Sequence, residues 1–169
     1  MPVHKSGAKE DVNNYRPIAL TSVVCKMLEQ VSSFYILKHF YKHGLINNQQ
    51  HGFLPRRSCV TMLTEMIEDW QHKMDILSTK QIDVISLDWS KAFDSVPHEK
   101  LLKKLEHYGL VGNLLQWCDS FLTGRTQSVV YSGATSKPVL VTSGVPQGSV
   151  VGPLFFVIFM LDLPACVKS

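Results

Sequence analysis

A carboxylate at the mouth of an apolar strand is a natural anchor for a hard divalent cation, and V-I-S-L-D-W-S-K-A-F-D-S-V-P-H, residues 84–98, puts Asp88 in that position. Phosphoryl transfer from a nucleoside triphosphate needs such a cation, together with groups that steady the triphosphate. Taken alone, Asp88 reads as readily as a strand end facing water, where Asp is common. The second chemical element is S-G-V-P-Q-G-S, residues 143–149, a Gly-Pro-Gly turn that presents one amide side chain, Gln147. Gly144 and Gly148 allow a ligand to approach the backbone closely, and a helix start near Ser149 offers N–H groups to an anion. The plainer alternative is an ordinary turn with Gln147 in water. Arg56 and Arg57 mark the basic tip of a loop, suited to backbone phosphates or simply to solvent.

These groups must be carried by a folded scaffold, and the bulk numbers allow one. A chain of 169 residues with 45% hydrophobic and 18% charged residues fits one domain with a real core. The net charge of +3 permits a nucleic-acid partner without suggesting one. Cys25, Cys59, Cys118 and Cys166 lie far apart, with no spacing suited to zinc, and are expected as reduced, mostly buried thiols of an intracellular protein (nucleus or cytoplasm). His39 and His43 stand four apart on an expected helix, but no acid or cysteine nearby completes a metal site. The opening M-P-V-H-K-S-G shows no apolar core behind a basic start, so no signal peptide is expected. The apolar run 150–161 is broken by Gly152 and Pro153 and falls short of the roughly 20 residues that span a bilayer, so it is expected as a buried helix, with no membrane partner.

Along the chain, residues 1–14 are polar and expected as loop, and Y-R-P-I-A-L (15–20) as a short strand held to an edge by Pro17. Thr21 or Ser22 caps a helix with Val24, Met27, Leu28, Val31, Phe34 and Tyr35 at helical spacing, ended by Gly44. Ser58 caps a second helix with Met62, Leu63, Met66, Ile67, Trp70 and Met74 on one face. A buried strand over 82–87 follows, then a short helix after Pro97 with Leu101, Leu102 and Leu105 inward, and another over 114–122. T-Q-S-V-V-Y and K-P-V-L-V-T form a hairpin around S-G-A-T-S, and the last helix begins near Ser149. Helices with a few strands, one pair a hairpin, argue for an α+β fold.

Four blocks in order, N-Y-R-P-I-A-L-T-S, H-G-F-L-P-R-R-S-C, D-W-S-K-A-F-D and G-V-P-Q-G-S, resemble the reverse transcriptase domain of non-LTR (LINE-type) retrotransposons from about residue 2 to residue 164. The resemblance implies the fingers (1–80) and partial palm (81–169) of a right-hand polymerase. It also implies RNA-directed DNA polymerisation, with an RNA template, a DNA primer and dNTPs as partners and Mg²⁺ (or Mn²⁺) as cofactor. Asp88 falls on the metal-binding aspartate, and the carbonyl of Trp89 on the metal shell. Phe93 matches the residue that packs where a ribose 2′-hydroxyl would sit. Gln147 and Gly148 match the nucleotide-contacting block, and Arg16 and Lys5 basic positions on the triphosphate. Arg56 and Arg57 fall where template phosphates are held, although Leu54 stands where the family commonly has Arg. Asp94 matches a structural acid, expected as a helix cap ahead of Pro97. Arg125, in the hairpin arm, is assigned shape and backbone contacts.

The family's paired aspartates are expected soon after D-L-P (162–164), and the chain ends at Ser169 first. Asp162 is the only side-chain carboxylate after Asp119, and is expected to cap the end of the helix region rather than to replace the pair. Two readings follow: part of a working polymerase that is inactive by itself, or a decayed, non-catalytic remnant with at most nucleic-acid binding.

Overall fold

The computed structural model describes residues 1–76 and 81–166. It is an α+β structure in two compact units, Met1–Leu45 with Lys91–Ser169, and Ile46–Ser90.

The first unit opens with β1 (Pro2–His4) and β2 (Tyr15–Pro17), paired antiparallel so that Val3 faces Arg16 and His4 faces Tyr15. β1 lies in the polar segment expected as loop. Among the described residues the pair has no other neighbour strand, so Pro17 sits in it without a lost ladder bond. Helix α1 (Val23–Lys42) starts as expected, with the Ser22 hydroxyl accepting from the Cys25 N–H at 3.2 Å, and Gly44 follows its end. Its buried face is a surprise. Glu29, Ile36 and Phe40 point inward, whereas Val24, Met27, Leu28, Val31, Phe34 and Tyr35 are all more than half exposed.

The core of this unit is built on α3 (His98–His107), packed against α4 (Gly112–Leu122) and α5 (Gly152–Met160), with Ile36 and Phe40 of α1 also buried; α2 belongs to the second unit. α3 begins after Pro97 and buries Leu101 and Leu105, and α4 buries Cys118 and Leu122. α5 is apolar all round, as a helix must be when neighbours cover most of it; Leu154, Phe155, Val157 and Ile158 are buried. Aromatic edges lock the helices together, Phe40 on Tyr108 at 5.5 Å and Phe121 on Phe155 at 6.1 Å between ring centroids. The hairpin forms in two stretches. β3 (Thr126–Gln127) pairs with β6 (Val139–Leu140), and β4 (Val130–Tyr131) with β5 (Ala134–Thr135) around a Ser132-Gly133 tip with positive φ at both residues. A four-residue helix, α6 (Leu163–Cys166), follows α5.

The second unit holds α2 (Cys59–Ile76), begun by a Ser58 hydroxyl that accepts from the Thr61 N–H, and this helix buries none of its residues. The expected buried strand over 82–87 is absent. Val84, Ile85 and Leu87 are exposed, and no ladder partner lies beside them among the described residues. A strand is stabilised by its neighbour's hydrogen bonds, and apolar composition cannot supply that neighbour.

Candidate active site

The Gly-Pro-Gly turn is built into the first unit from several sides. Gly144 N–H donates to the Val96 carbonyl and Val145 N–H to the Phe93 carbonyl, both at 2.8 Å, tying the turn to the end of the D-W-S-K-A-F-D block. Gly144 has φ +86°, and a Cβ there would meet the Asp94 backbone at 2.7 Å, so only glycine fits. Its carbonyl accepts from two buried or half-buried side chains, His98 Nε2 at 2.8 Å and Arg125 Nη2 at 2.8 Å. Burial lowers the pKa of Arg125 from its ordinary value. The backbone contacts expected of Arg125 are therefore made within the chain itself.

Further along the turn, the Gln147 side chain is half-buried rather than loose in water, and its Nε2 donates to the Asp94 carboxylate at 3.2 and 3.3 Å. Asp94 is thus no helix cap: the cap position of α3 is Pro97, with no side-chain bond. The Gln147 carbonyl accepts from the Ala19 N–H at 2.7 Å, and Gly148 lies close against Ala19 and Ile18. Ile18 and Ala19 continue directly from β2, which carries Arg16, and the Lys5 N–H donates to the Asn14 carbonyl at 2.7 Å just beyond the β1–β2 pair. The fold consequently brings the backbone bearing Lys5 and Arg16 to the segment bearing Gln147 and Gly148. Phe93 belongs to the same unit, half-buried with its ring 5.1 Å from Phe156.

The N–H groups at the start of α5, expected to face an anion, are already occupied. Val150 and Val151 donate to the Glu29 carboxylate at 2.6 and 3.2 Å, and Gly152 donates to the Ser149 hydroxyl at 3.0 Å. Asp162 also departs from expectation. Its carboxylate takes the Lys104 ammonium at 2.5 Å, a contact that holds its pKa below the ordinary value, and the same ammonium donates to the Phe159 carbonyl.

Asp88, Trp89, Arg56 and Arg57 belong to the second unit. Asp88 and Trp89 are exposed on a segment without regular secondary structure, and no cluster of three His, Cys, Asp or Glu side chains suited to a metal ion occurs among the described residues. Mg²⁺ is commonly held by one or two carboxylates, with waters and substrate phosphates completing its six oxygens, so Asp88 would supply one such ligand and no ligating cluster joins it among the described residues. Arg57 faces inward: Nη1 donates to the carbonyls of Asn47, Asn48 and Gln50 at 3.1, 2.6 and 2.5 Å, closing the loop ahead of α2. Arg56 is exposed with φ +63°. The histidine pair is accounted for by backbone, His39 Nε2 meeting the Tyr108 carbonyl at 2.7 Å and His43 Nδ1 the His39 carbonyl at 2.9 Å.

The reverse transcriptase (RNA-dependent DNA polymerase) family profile matches residues 3–169. The chain belongs to the reverse transcriptase family. Within that family it is related to the polymerases of non-LTR retrotransposons. It is 31% identical over 169 residues to the probable RNA-directed DNA polymerase from transposon X-element of Drosophila melanogaster, covering 96% of this chain and 18% of that protein. It is 34% identical over 155 residues to the RNA-directed DNA polymerase from mobile element jockey of Drosophila funebris, covering 91% and 16%. A Pol polyprotein from the type-1 retrotransposable element R2 of Popillia japonica is 24% identical over 168 residues, covering 99% and 23%. This reverse transcriptase chain therefore spans between 16% and 23% of the length of these relatives. Reverse transcriptases use a divalent cation, template and primer, and dNTPs. No helix among the described residues is long and apolar enough to cross a membrane.

The residues that motif reading left out are those that hold the turn: Glu29, His98 and the side chain of Asp94. His98 and Asp94 stand inside quoted blocks, so their positions were visible although their partners were not. Glu29 stands in the middle of an apolar helix, where a carboxylate is expected to face water.

Proposed function

We propose that the chain is the fingers-like (1–80) and partial palm (81–169) region of an RNA-directed DNA polymerase of a retrotransposon. In this reading a primer 3′-hydroxyl attacks the α-phosphate of a dNTP. The observation that supports it most is the anchored Gln147–Gly148 turn, hydrogen-bonded to the segment that follows the strand bearing Arg16. Gln147 and Gly148 contact the incoming nucleotide, with Gln147 held by Asp94 at a fixed angle. Phe93, backed by Phe156, supplies a rigid apolar wall that disfavours a 2′-hydroxyl. Arg16 and Lys5 take the triphosphate, where an arginine fork suits paired phosphate oxygens. Arg56 meets template phosphates through charge, and Arg57 assists by shaping the loop it closes. Asp88, with the carbonyl of Trp89, serves as one ligand in a Mg²⁺ or Mn²⁺ site whose other carboxylates come from elsewhere in a longer polymerase.

The exposed segment carrying Asp88, which pairs with no strand among the described residues, favours a second reading, a decayed, non-catalytic remnant with at most nucleic-acid binding. The deciding experiment is primer extension on poly(rA)/oligo(dT) by a polymerase containing this chain, beside an Asp88→Ala control. Extension that vanishes in the control supports the polymerase reading. A well-folded polymerase that extends nothing sinks it. Residues 1–169 by themselves are expected to extend no primer with either metal.

A further inference from the structure

Glu29 lies wholly out of water on α1, 0% exposed. Burying a carboxylate costs several kcal/mol unless hydrogen bonds replace its hydration. Here they do. One carboxylate oxygen accepts from the Val150 and Val151 N–H groups at 2.6 and 3.2 Å, and the other from the Cys25 thiol at 3.4 Å. The acceptor thus comes from more than a hundred residues away in sequence and stands at the positive end of α5, where negative charge is favoured.

The segment Glu29 grips begins three residues after Gln147. Ser149 reinforces it, its hydroxyl donating to the Pro146 carbonyl at 2.7 Å and accepting from the Gly152 N–H. Upstream, Gln147 is held at its carbonyl by Ala19 and at its amide by Asp94. Both holds depend on where the C-terminal end of the turn sits, and Glu29 is the side chain that fastens that end to α1.

We propose that Glu29 is a positioning residue for nucleotide binding: it clamps Val150 and Val151 against α1 so that Gln147 and Gly148, just ahead of them, keep the place from which they meet the dNTP. This rests on the polymerase reading above. Geometry, rather than charge alone, performs the task. Glu29→Gln retains an acceptor at the same reach, whereas Glu29→Asp keeps the charge and draws it back by one methylene.

Two measurements test it. Hydrogen exchange at the Val150 and Val151 amides, on the 169-residue chain, is expected to match wild type in Glu29→Gln. In Glu29→Asp and Glu29→Leu it should speed up by about tenfold or more while the α3 amides stay protected. Primer extension by the longer polymerase should show the dNTP KM raised about tenfold in Glu29→Asp with kcat within about twofold, and near wild type in Glu29→Gln. Unchanged exchange in folded Glu29→Asp and Glu29→Leu overturns the proposal, as does equal loss of dNTP binding in Gln and Asp variants. If the wild-type polymerase extends no primer, the functional reading fails, and the exchange comparison still decides whether Glu29 holds the turn.

Discussion

Gln147 and Asp94, 53 residues apart, meet through one amide and one carboxylate, with Nε2 3.2 Å from Oδ1 and 3.3 Å from Oδ2. Both carboxylate oxygens accept from the same amide nitrogen, so the amide is held in one orientation with its carbonyl oxygen turned away from Asp94. Gln147→Glu would set two carboxylates against each other. It is expected to destabilise the chain by about 1–3 kcal/mol, and Asp94→Asn in the same molecule should recover most of that. Urea unfolding of the two single variants and the double variant gives the coupling energy. A coupling near zero would show that the contact carries no weight.

Three glycines with positive φ separate the cost of backbone conformation from the cost of space. A Cβ at Gly144 meets the Asp94 backbone at 2.7 Å, one at Gly148 meets the Ala19 carbonyl at 3.1 Å, and one at Gly133 meets nothing within 4 Å. Gly133→Ala should therefore cost only the left-handed penalty of about 1 kcal/mol. Gly148→Ala should cost more and Gly144→Ala most, since backbone rather than a flexible side chain must shift. Denaturant midpoints in any other order would contradict the packing of the turn.

What could be read from residue patterns, and what could not, divides by range. Ser22 before an apolar run, Pro97 ahead of α3 and Pro153 inside α5 are local signals, and each marks a helix close to where the structure has one. The hairpin's strands were visible, yet Ala134 and Thr135, expected in the connecting loop, pair as β5. α1 shows the limit of periodicity. Apolar residues occur on more than one side of it, so spacing establishes a helix without selecting the face its neighbours cover. Over residues 82–87 the pattern promised a buried strand, but pairing depends on a partner that composition does not name. In the candidate site, the blocks located Gln147 and Gly148, while the Asp94, His98, Arg125 and Glu29 contacts all bridge long sequence separations and left no local trace.

The unexpected face of α1 makes a direct prediction. Phe40 is fully buried, and Phe40→Ala should cost about 3–5 kcal/mol. Leu28 and Val31 are each 56% exposed, and Leu28→Lys or Val31→Lys should change stability by no more than about 0.5 kcal/mol. Thermal or urea unfolding of the isolated chain distinguishes this from the face that spacing suggested. A large loss for Val31→Lys would restore that earlier face.

The cysteines should separate by reactivity. All four are free thiols; Cys59 and Cys166 are exposed, and Cys118 is fully buried. The expectation of mostly buried thiols thus holds for Cys118 and only in part for Cys25. Burial pushes the Cys118 thiol up to about 12, and burial with the neighbouring Glu29 raises Cys25 as well. A disulfide reagent at about pH 8 should label Cys59 and Cys166 quickly, Cys25 slowly, and Cys118 only on unfolding. Rapid labelling of Cys118 in the native chain would contradict its place in the core.

Asp162 provides a pH test. The Lys104 contact holds its folded pKa below the ordinary 3.8, so its stabilisation is fully present above that value and is lost as pH falls through the folded pKa. Asp162 is 56% exposed at its side chain and Lys104 25%, which limits the pair to about 0.2–1 kcal/mol after solvent screening. Asp162→Asn should therefore be slightly less stable than wild type at about pH 6, and the gap should shrink as pH falls below the ordinary 3.8 and through the lower folded pKa. High salt should shrink it at neutral pH. A gap that persists unchanged at low pH would mean that Asp162 acts through packing or its backbone, and that the Lys104 ion pair is incidental.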